Sequence, residues 1–171
     1  MIILLGYMGV GKSTVGKQLA ASLKCQFIDL DNYIEQKEKT SITSIFKQKG
    51  EIFFRKIESQ YLKGLLDSKE YEIIALGGGT PCYANNMDLI KTYQNSTFYL
   101  KMELNVLADR LYQIKDTRPL LSHIDDRSEL KDFIRKHLFE RQFYYMQANY
   151  TIDVSTLAIE EIVNNILNKL K

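Results

Sequence analysis

The sequence predicts an α/β protein: a mainly parallel sheet with helices on both faces. Three observations carry this. Short, wholly apolar runs alternate with amphipathic stretches of helical period. The first apolar run leads directly into a glycine-rich turn and then a helix. Another apolar run ends in a triple glycine, Gly77-Gly78-Gly79. Strands buried on both faces read as unbroken apolar segments, and crossover helices are what bury them.

The elements follow in order. Ile2 to Leu5 is the first strand. A helix runs from about Lys12 to Leu23, with Val15, Leu19, Ala20 and Leu23 on one face. Gln26 to Asp29 is a second strand, and Asn32 to Lys69 is helical with breaks near Thr40 and Gly50. Glu72 to Leu76 is a third strand, stopped by the glycines. Ser96 to Lys101, rich in β-branched and aromatic residues, is a fourth. Leu104 to Tyr112 is helical, and residues 113–126 form a polar loop containing Pro119. A helix from Glu129 to Met146, a strand from Tyr150 to Val154 and a helix from Ala158 to Leu170 complete the chain.

The chain has 171 residues; 23 Lys and Arg against 21 Asp and Glu leave a net charge of +2. With 45% hydrophobic residues, this suits a single globular domain over residues 1–171 and excludes a disordered chain. The near balance of charge argues against a general nucleic-acid binder. No apolar run spans a membrane, and the run Met1 to Leu5 is too short and lacks the basic flank of a signal peptide. Cys25 and Cys82 have no CxxC spacing, so a structural zinc site is not expected. They read as free thiols in a reducing cytoplasm.

In open parallel sheets, ligands bind beyond the carboxyl ends of the strands. The first such place is Gly6-Tyr7-Met8-Gly9-Val10-Gly11-Lys12-Ser13, which matches G-x-x-x-x-G-K-[ST]. Glycines let the backbone curl so that successive N–H groups point at phosphate oxygens, and the helix N-terminus adds positive charge. Gly9, Val10 and Gly11 supply backbone, Lys12 reaches the β- and γ-phosphates, Ser13 joins a magnesium shell, and Thr14 adds a hydroxyl. An ordinary helix-capping turn is the plainer alternative. The strand before and amphipathic helix after favour nucleotide.

Asp29-Leu30-Asp31 ends the second strand, and alternation would put both carboxylates on one side. One would hold magnesium through water and the other would accept a hydroxyl proton; alternatively Asp31 is a helix N-cap. Arg55 and Glu58 are three residues apart on a helix. They form either a surface pair of little energy or an arginine held ready to fork onto an anion. The triple glycine leaves no side chains in the way of a ligand.

Taken together, residues 6–14, Asp29-x-Asp31, Phe54-Arg55-x-x-Glu58 and Gly77-Gly78-Gly79 resemble shikimate kinase. Arg118-Pro119-Leu120-Leu121 and Arg141-x-x-x-Tyr145 extend the resemblance to nearly the whole chain. It implies a P-loop NTPase fold: three α/β/α layers, a five-stranded parallel sheet, a substrate-binding helical region at about residues 32–62 and a lid at about residues 113–126. It also implies transfer of the γ-phosphoryl of ATP to the 3-hydroxyl of shikimate, with Mg2+, by a cytoplasmic monomer without nucleic-acid or membrane partners. Lys12, Asp31 and Arg118 would be catalytic, Asp31 as candidate base. Arg55, Arg141 and the backbone of Gly77, Gly78 and Gly79 would hold shikimate. Asp29 and Ser13 would stand at magnesium, Arg118 at the ATP phosphates and Arg110 near adenine.

Rivals are another P-loop kinase, for gluconate or a nucleoside monophosphate, and a non-catalytic nucleotide switch. The Asp31–Arg55–Gly78–Arg141 set suits a hydroxylated acid better than a base. A guanine-selecting N-K-x-D is lacking, since Asn168-Lys169 has no aspartate in place. Arg135, Lys136 and His137 read as solvated surface, His123 as incidental, and Phe143, Tyr144 and Tyr145 as packing. Tyr145 could also stack with Arg141 on an exposed helix face.

Overall fold

Five strands lie side by side, every neighbouring pair parallel, in the order β2-β3-β1-β4-β5. They are β1 (Ile2–Leu5), β2 (Phe27–Asp29), β3 (Ile73–Ala75), β4 (Ser96–Lys101) and β5 (Tyr150–Asp153). The structure, a computed structural model, describes residues 1–115 and 120–171. Among these, seven α-helices accompany the sheet: α1 (Lys12–Leu23), α2 (Leu30–Glu38), α3 (Ile42–Ser68), α4 (Asn86–Thr92), α5 (Leu104–Gln113), α6 (Arg127–Tyr145) and α7 (Ile159–Lys169). A short 3₁₀ turn, Thr80–Cys82, follows β3.

The crossover from β1 to β2 runs one way along the sheet; those from β3 to β4 and from β4 to β5 run the other way. Right-handed crossovers therefore put α1 on one face and α4, α5 and α6 on the other. Helix α7 returns to pack on α1. All four residues of β1 are buried, with Leu4 in register with Ala75 on one side and Phe98 on the other. This central strand explains the unbroken apolar run at the start of the chain.

Some boundaries differ from expectation. Helix α2 starts at Leu30, because the Asp29 side chain accepts from the backbone N–H of Asp31 (3.0 Å) and Asn32 (3.3 Å). The break expected near Gly50 is present: with φ 79° and ψ 170° that residue leaves the helical conformation and kinks α3. Helix α6 starts at Arg127, two residues earlier than the apolar period suggests, since Asp126 caps it by accepting from the N–H of Glu129 at 2.8 Å. Helix α5 extends to Gln113, so the expected lid shortens at its start.

The turn at Thr80–Cys82 and the seven-residue α4 have no sequence signal, because neither is long enough to display a helical period. Helices α1, α2 and α3 end on lysines in the left-handed conformation, Lys24 (φ 53°), Lys39 (φ 54°) and Lys69 (φ 53°). Glycine is the usual signal for that cap, so the sequence marked these ends only by a change in polarity.

Candidate active site

The loop after β1 takes its shape from Gly6, Gly9 and Gly11, whose φ angles are 143°, 84° and 97°. Crowding adds to this at two of them. A Cβ on Gly6 would lie 2.6 Å from the carbonyl oxygen of Leu100, and one on Gly9 2.7 Å from the side chain of Leu111. The loop is thus pressed against the sheet and α5, where successive N–H groups can form an anion nest. Val10 is buried and contributes backbone only. Lys12 is buried as well, its Nζ donating to the carbonyls of Gly6 (2.9 Å) and Tyr7 (3.0 Å). Thr14 is exposed on the first turn of α1.

The Ser13 hydroxyl donates to Oδ2 of Asp29, while Oδ1 of the same carboxylate caps α2. One side chain therefore ties α1 to α2 at the mouth of the loop. Two adjoining oxygen donors suit a hard divalent cation such as Mg2+. Among the described residues no group of three or more His, Cys, Asp or Glu could hold a metal alone. Such an ion would take its other ligands from nucleotide phosphates and water, which is how Mg2+ is commonly held.

The two aspartates do not share a strand face, contrary to the expectation from alternation. The strand ends at Asp29, and Asp31 stands in the first turn of α2. Asp29, rather than Asp31, is the N-cap, which leaves the Asp31 carboxylate available to the cleft. It sits under Gly77, where a Cβ would come within 2.6 Å of its Oδ1. Asp31 retains some accessible surface yet is deeply enclosed. Burial, then the negative charges of Asp29 and Glu58, raise its pKa to about 6, with Lys12 and Arg55 pulling the other way.

Arg55 projects from α3 and is pinned rather than loose. Its Nη1 donates to Glu58 at 3.0 Å, and Nε and Nη2 both donate to Glu51 at 3.2 Å. Glu58 is only 1% exposed, so this is not the surface pair that spacing alone allowed. The second oxygen of Glu58 accepts from the Thr80 hydroxyl at 2.6 Å, which fixes α3 to the turn after the triple glycine. The guanidinium lies 4.1 Å from the centre of the Tyr83 ring and 5.2 Å from that of Phe54. Burial opposes its charge, but Glu58 and Glu51 outweigh this and raise its pKa. A Cβ on Gly79 would meet Arg55 Nη2 at 2.8 Å, and one on Gly78 the N–H of Met8 at 3.2 Å. The triple glycine is therefore the seam between phosphate loop and arginine.

Arg141 comes from α6. Its guanidinium lies 5.4 Å from the centre of the Tyr7 ring, and its charge opposes the rise that burial gives the Tyr145 pKa. Tyr145 is fully buried, with its ring against Tyr99, and donates to the Gly78 carbonyl. It is a packing residue, as expected, and also a strut. The alternative of Arg141 and Tyr145 stacking on an exposed face is ruled out, because Tyr145 is buried. Burial pushes the Cys82 thiol up to about 11, while the charges of Arg141 and Arg55 draw it down.

Other expectations fall differently. Phe143 is 70% exposed and packs little. His137 is half-buried; its ring adjoins Phe133, and Nδ1 lies 3.0 Å from the Tyr7 hydroxyl. Arg110 is exposed in the last turn of α5. Arg118 and Pro119 lie outside the described residues. Tyr7, Thr80 and Tyr145 complete the site's wiring. Of these only Tyr145 had a sequence signal, its place four residues after Arg141.

A strand–nest–helix unit on a five-stranded parallel sheet, with an acid- and arginine-lined cleft alongside, defines the class of P-loop kinases that act on small molecules. A family model described as shikimate kinase matches residues 8–171. A shikimate kinase from Flavobacterium johnsoniae is 47% identical over 169 residues, covering 99% of this chain and 98% of that relative. A crystal structure of shikimate kinase from Bacteroides thetaiotaomicron superposes with a TM-score of 0.90 at 35% identity, covering 99% of this chain and 97% of that one. One from Acinetobacter baumannii in complex with shikimate gives 0.87 at 34% identity, covering 99% and 91%. The chain belongs to the shikimate kinase family.

Proposed function

We propose that this chain transfers the γ-phosphoryl group of ATP to the 3-hydroxyl of shikimate, giving shikimate 3-phosphate and ADP, on the route to chorismate and the aromatic amino acids. Family membership supports the reaction. The observation that carries the residue assignment is the position of Asp31, within electrostatic reach of both Lys12 and Arg55. One cation belongs to the phosphate loop and the other to the far wall. A substrate with an anionic end on Arg55 would present an alcohol between Asp31 and the γ-phosphate.

Arg55 and Arg141 bind the shikimate carboxylate from two sides, and the backbone of Gly77, Gly78 and Gly79 lets the ring approach closely. Asp31 orients the 3-hydroxyl and takes its proton. The hydroxyl oxygen bonds to the γ-phosphorus as the bridging oxygen departs with ADP. The nest of Gly9, Val10 and Gly11, with Lys12, Ser13 and Thr14, holds the phosphates. Lys12 leaves its carbonyl partners to follow the charge that builds on the γ-phosphoryl oxygens. Arg118 from the lid adds positive charge there, and Arg110 stands on the adenine side. Ser13 and Asp29 hold Mg2+, which when bound supplies neutralising charge to the β- and γ-phosphates. The protein works as a cytoplasmic monomer; among the described residues no helix is long and apolar enough to cross a membrane.

ADP release, measured with shikimate, gluconate and a nucleoside monophosphate as acceptors in turn, tests the reading. Turnover with shikimate alone is expected. Turnover with either of the others and none with shikimate would sink it.

A further inference from the structure

His137 and Tyr7 stand outside the roles given above, and yet they join the two halves of the site. Tyr7 is a variable position of the phosphate-loop motif and is 1% exposed. Its carbonyl accepts from Lys12 at 3.0 Å, its ring lies under Arg141, and its hydroxyl meets His137 Nδ1 at 3.0 Å. His137 precedes Arg141 by four residues on α6, so the two side chains share a helix face. Phe133, four residues earlier again, backs the imidazole with ring centroids 4.2 Å apart.

We propose that His137 is a positioning residue for the acid-binding arginine: its Nδ1 accepts the Tyr7 hydroxyl proton and so fixes the aromatic platform on which Arg141 rests. This rests on the reading of Arg141 as a ligand of the shikimate carboxylate. The direction of the hydrogen bond follows from the cation. A phenol that donates its proton gains electron density in the ring, and a cation over the ring face is held more strongly by it. A phenol that accepts would have the opposite effect. Two further facts agree. Burial raises the Tyr7 pKa to about 12, so the hydroxyl keeps a proton to give. Burial, with Arg141 next, lowers that of His137, so near neutral pH the ring has a free lone pair. The Nε2–H tautomer follows. Tyr7 sits in the loop and His137 on α6, so the clasp joins the two.

Steady-state kinetics and ring-nitrogen NMR on the full chain test this together. His137→Phe keeps the contact with Phe133 but removes the acceptor. It should raise the KM for shikimate about fivefold, with kcat and the KM for ATP within about twofold of wild type. Tyr7→Phe should do the same, and the double variant should be no worse than either single one. His137→Asn, whose amide oxygen falls near the place of Nδ1, should restore most of the loss. Multiplying effects in the double variant, or a joint loss of kcat and ATP affinity, would overturn the proposal. In NMR, His137 Nδ1 should be unprotonated and hydrogen-bonded, and Tyr7→Phe should move it toward a free unprotonated nitrogen. A protonated Nδ1 in the neutral wild-type ring would overturn it as well. The spectra need no turnover. If shikimate is not phosphorylated at all, the proposed function fails, while the resonances still decide the clasp.

Discussion

The two ends of the cleft are made in different ways. The proposed phosphate end is eight consecutive residues, mostly backbone: glycines at positive φ and one lysine. The acid end gathers Asp31, Arg55 with Glu58, Gly77 to Gly79, and Arg141 with Tyr145 from four separate stretches. Its chemistry is side-chain charge held in place by hydrogen bonds. A contiguous motif takes most of its shape from its own glycines, with only a few contacts from Leu100 and Leu111. An assembled site depends on the struts between its parts. The two ends should therefore fail differently when they are altered.

The largest effect is expected at the phosphate end. Lys12→Ala should lower kcat about a thousandfold, through lost charge stabilisation of the transferring group. Steady-state turnover with both substrates saturating checks this. At the acid end the loss should appear in affinity. Arg55→Ala should raise the KM for shikimate about thirtyfold and leave that for ATP nearly unchanged. It also strands the buried Glu58 without its cation, which should cost about 3 kcal/mol of unfolding free energy in a denaturant titration. Equal weakening of both substrates would erase the contrast between the ends.

Asp31 stands between the two and should show itself in pH dependence. With a folded pKa of about 6 against 3.8 for an ordinary aspartate, the carboxylate becomes protonated early as pH falls. At pH 5 kcat/KM should be about tenfold below its plateau, and Asp31→Asn should have no acid limb there. The stability effect has the opposite sense. The folded state holds this proton more tightly than the unfolded one does. The group therefore favours folding below pH 3.8, and that benefit is lost as pH rises through about 6. Unfolding of wild type and Asp31→Asn across that window would measure it. The smallest effect belongs to Gly79→Ala. Its Cβ would press on Arg55 Nη2 at 2.8 Å, so the guanidinium would have to shift by a few tenths of an ångström within its hold on Glu51 and Glu58. About a threefold rise in the KM for shikimate, with ATP untouched, is expected.

The same division decides what the sequence disclosed. Five strands, their parallel sense and most helices were legible, because apolar runs and helical periods are local signals. The strand, glycine turn and helix around residues 6–13 were legible for the same reason. Asp29 and Asp31 were read as a pair on one face. Only the capping hydrogen bonds reveal that the chain turns helical between them, so that each carboxylate has different surroundings. Arg55 and Glu58 were visible as a pair, but whether the pair was buried was not, since Thr80 supplies the third member from 22 residues away. Tyr7 and His137 are 130 residues apart, and no spacing rule connects them. Charge on a helix face made His137 look solvated, and the neighbouring Phe143 looked buried for being aromatic. Both readings failed because burial depends on what the opposite element brings.

The buried lysine at the loop has one more consequence. Its ammonium group is shielded from solvent and bonded to two carbonyls of the loop. Most of its hydration has therefore been lost during folding rather than at the moment of encounter. On the proposed assignment, an incoming triphosphate exchanges one set of oxygens for another around this charge, and nucleotide entry draws the ammonium away from the carbonyls of Gly6 and Tyr7. A change that tightened their grip would slow association.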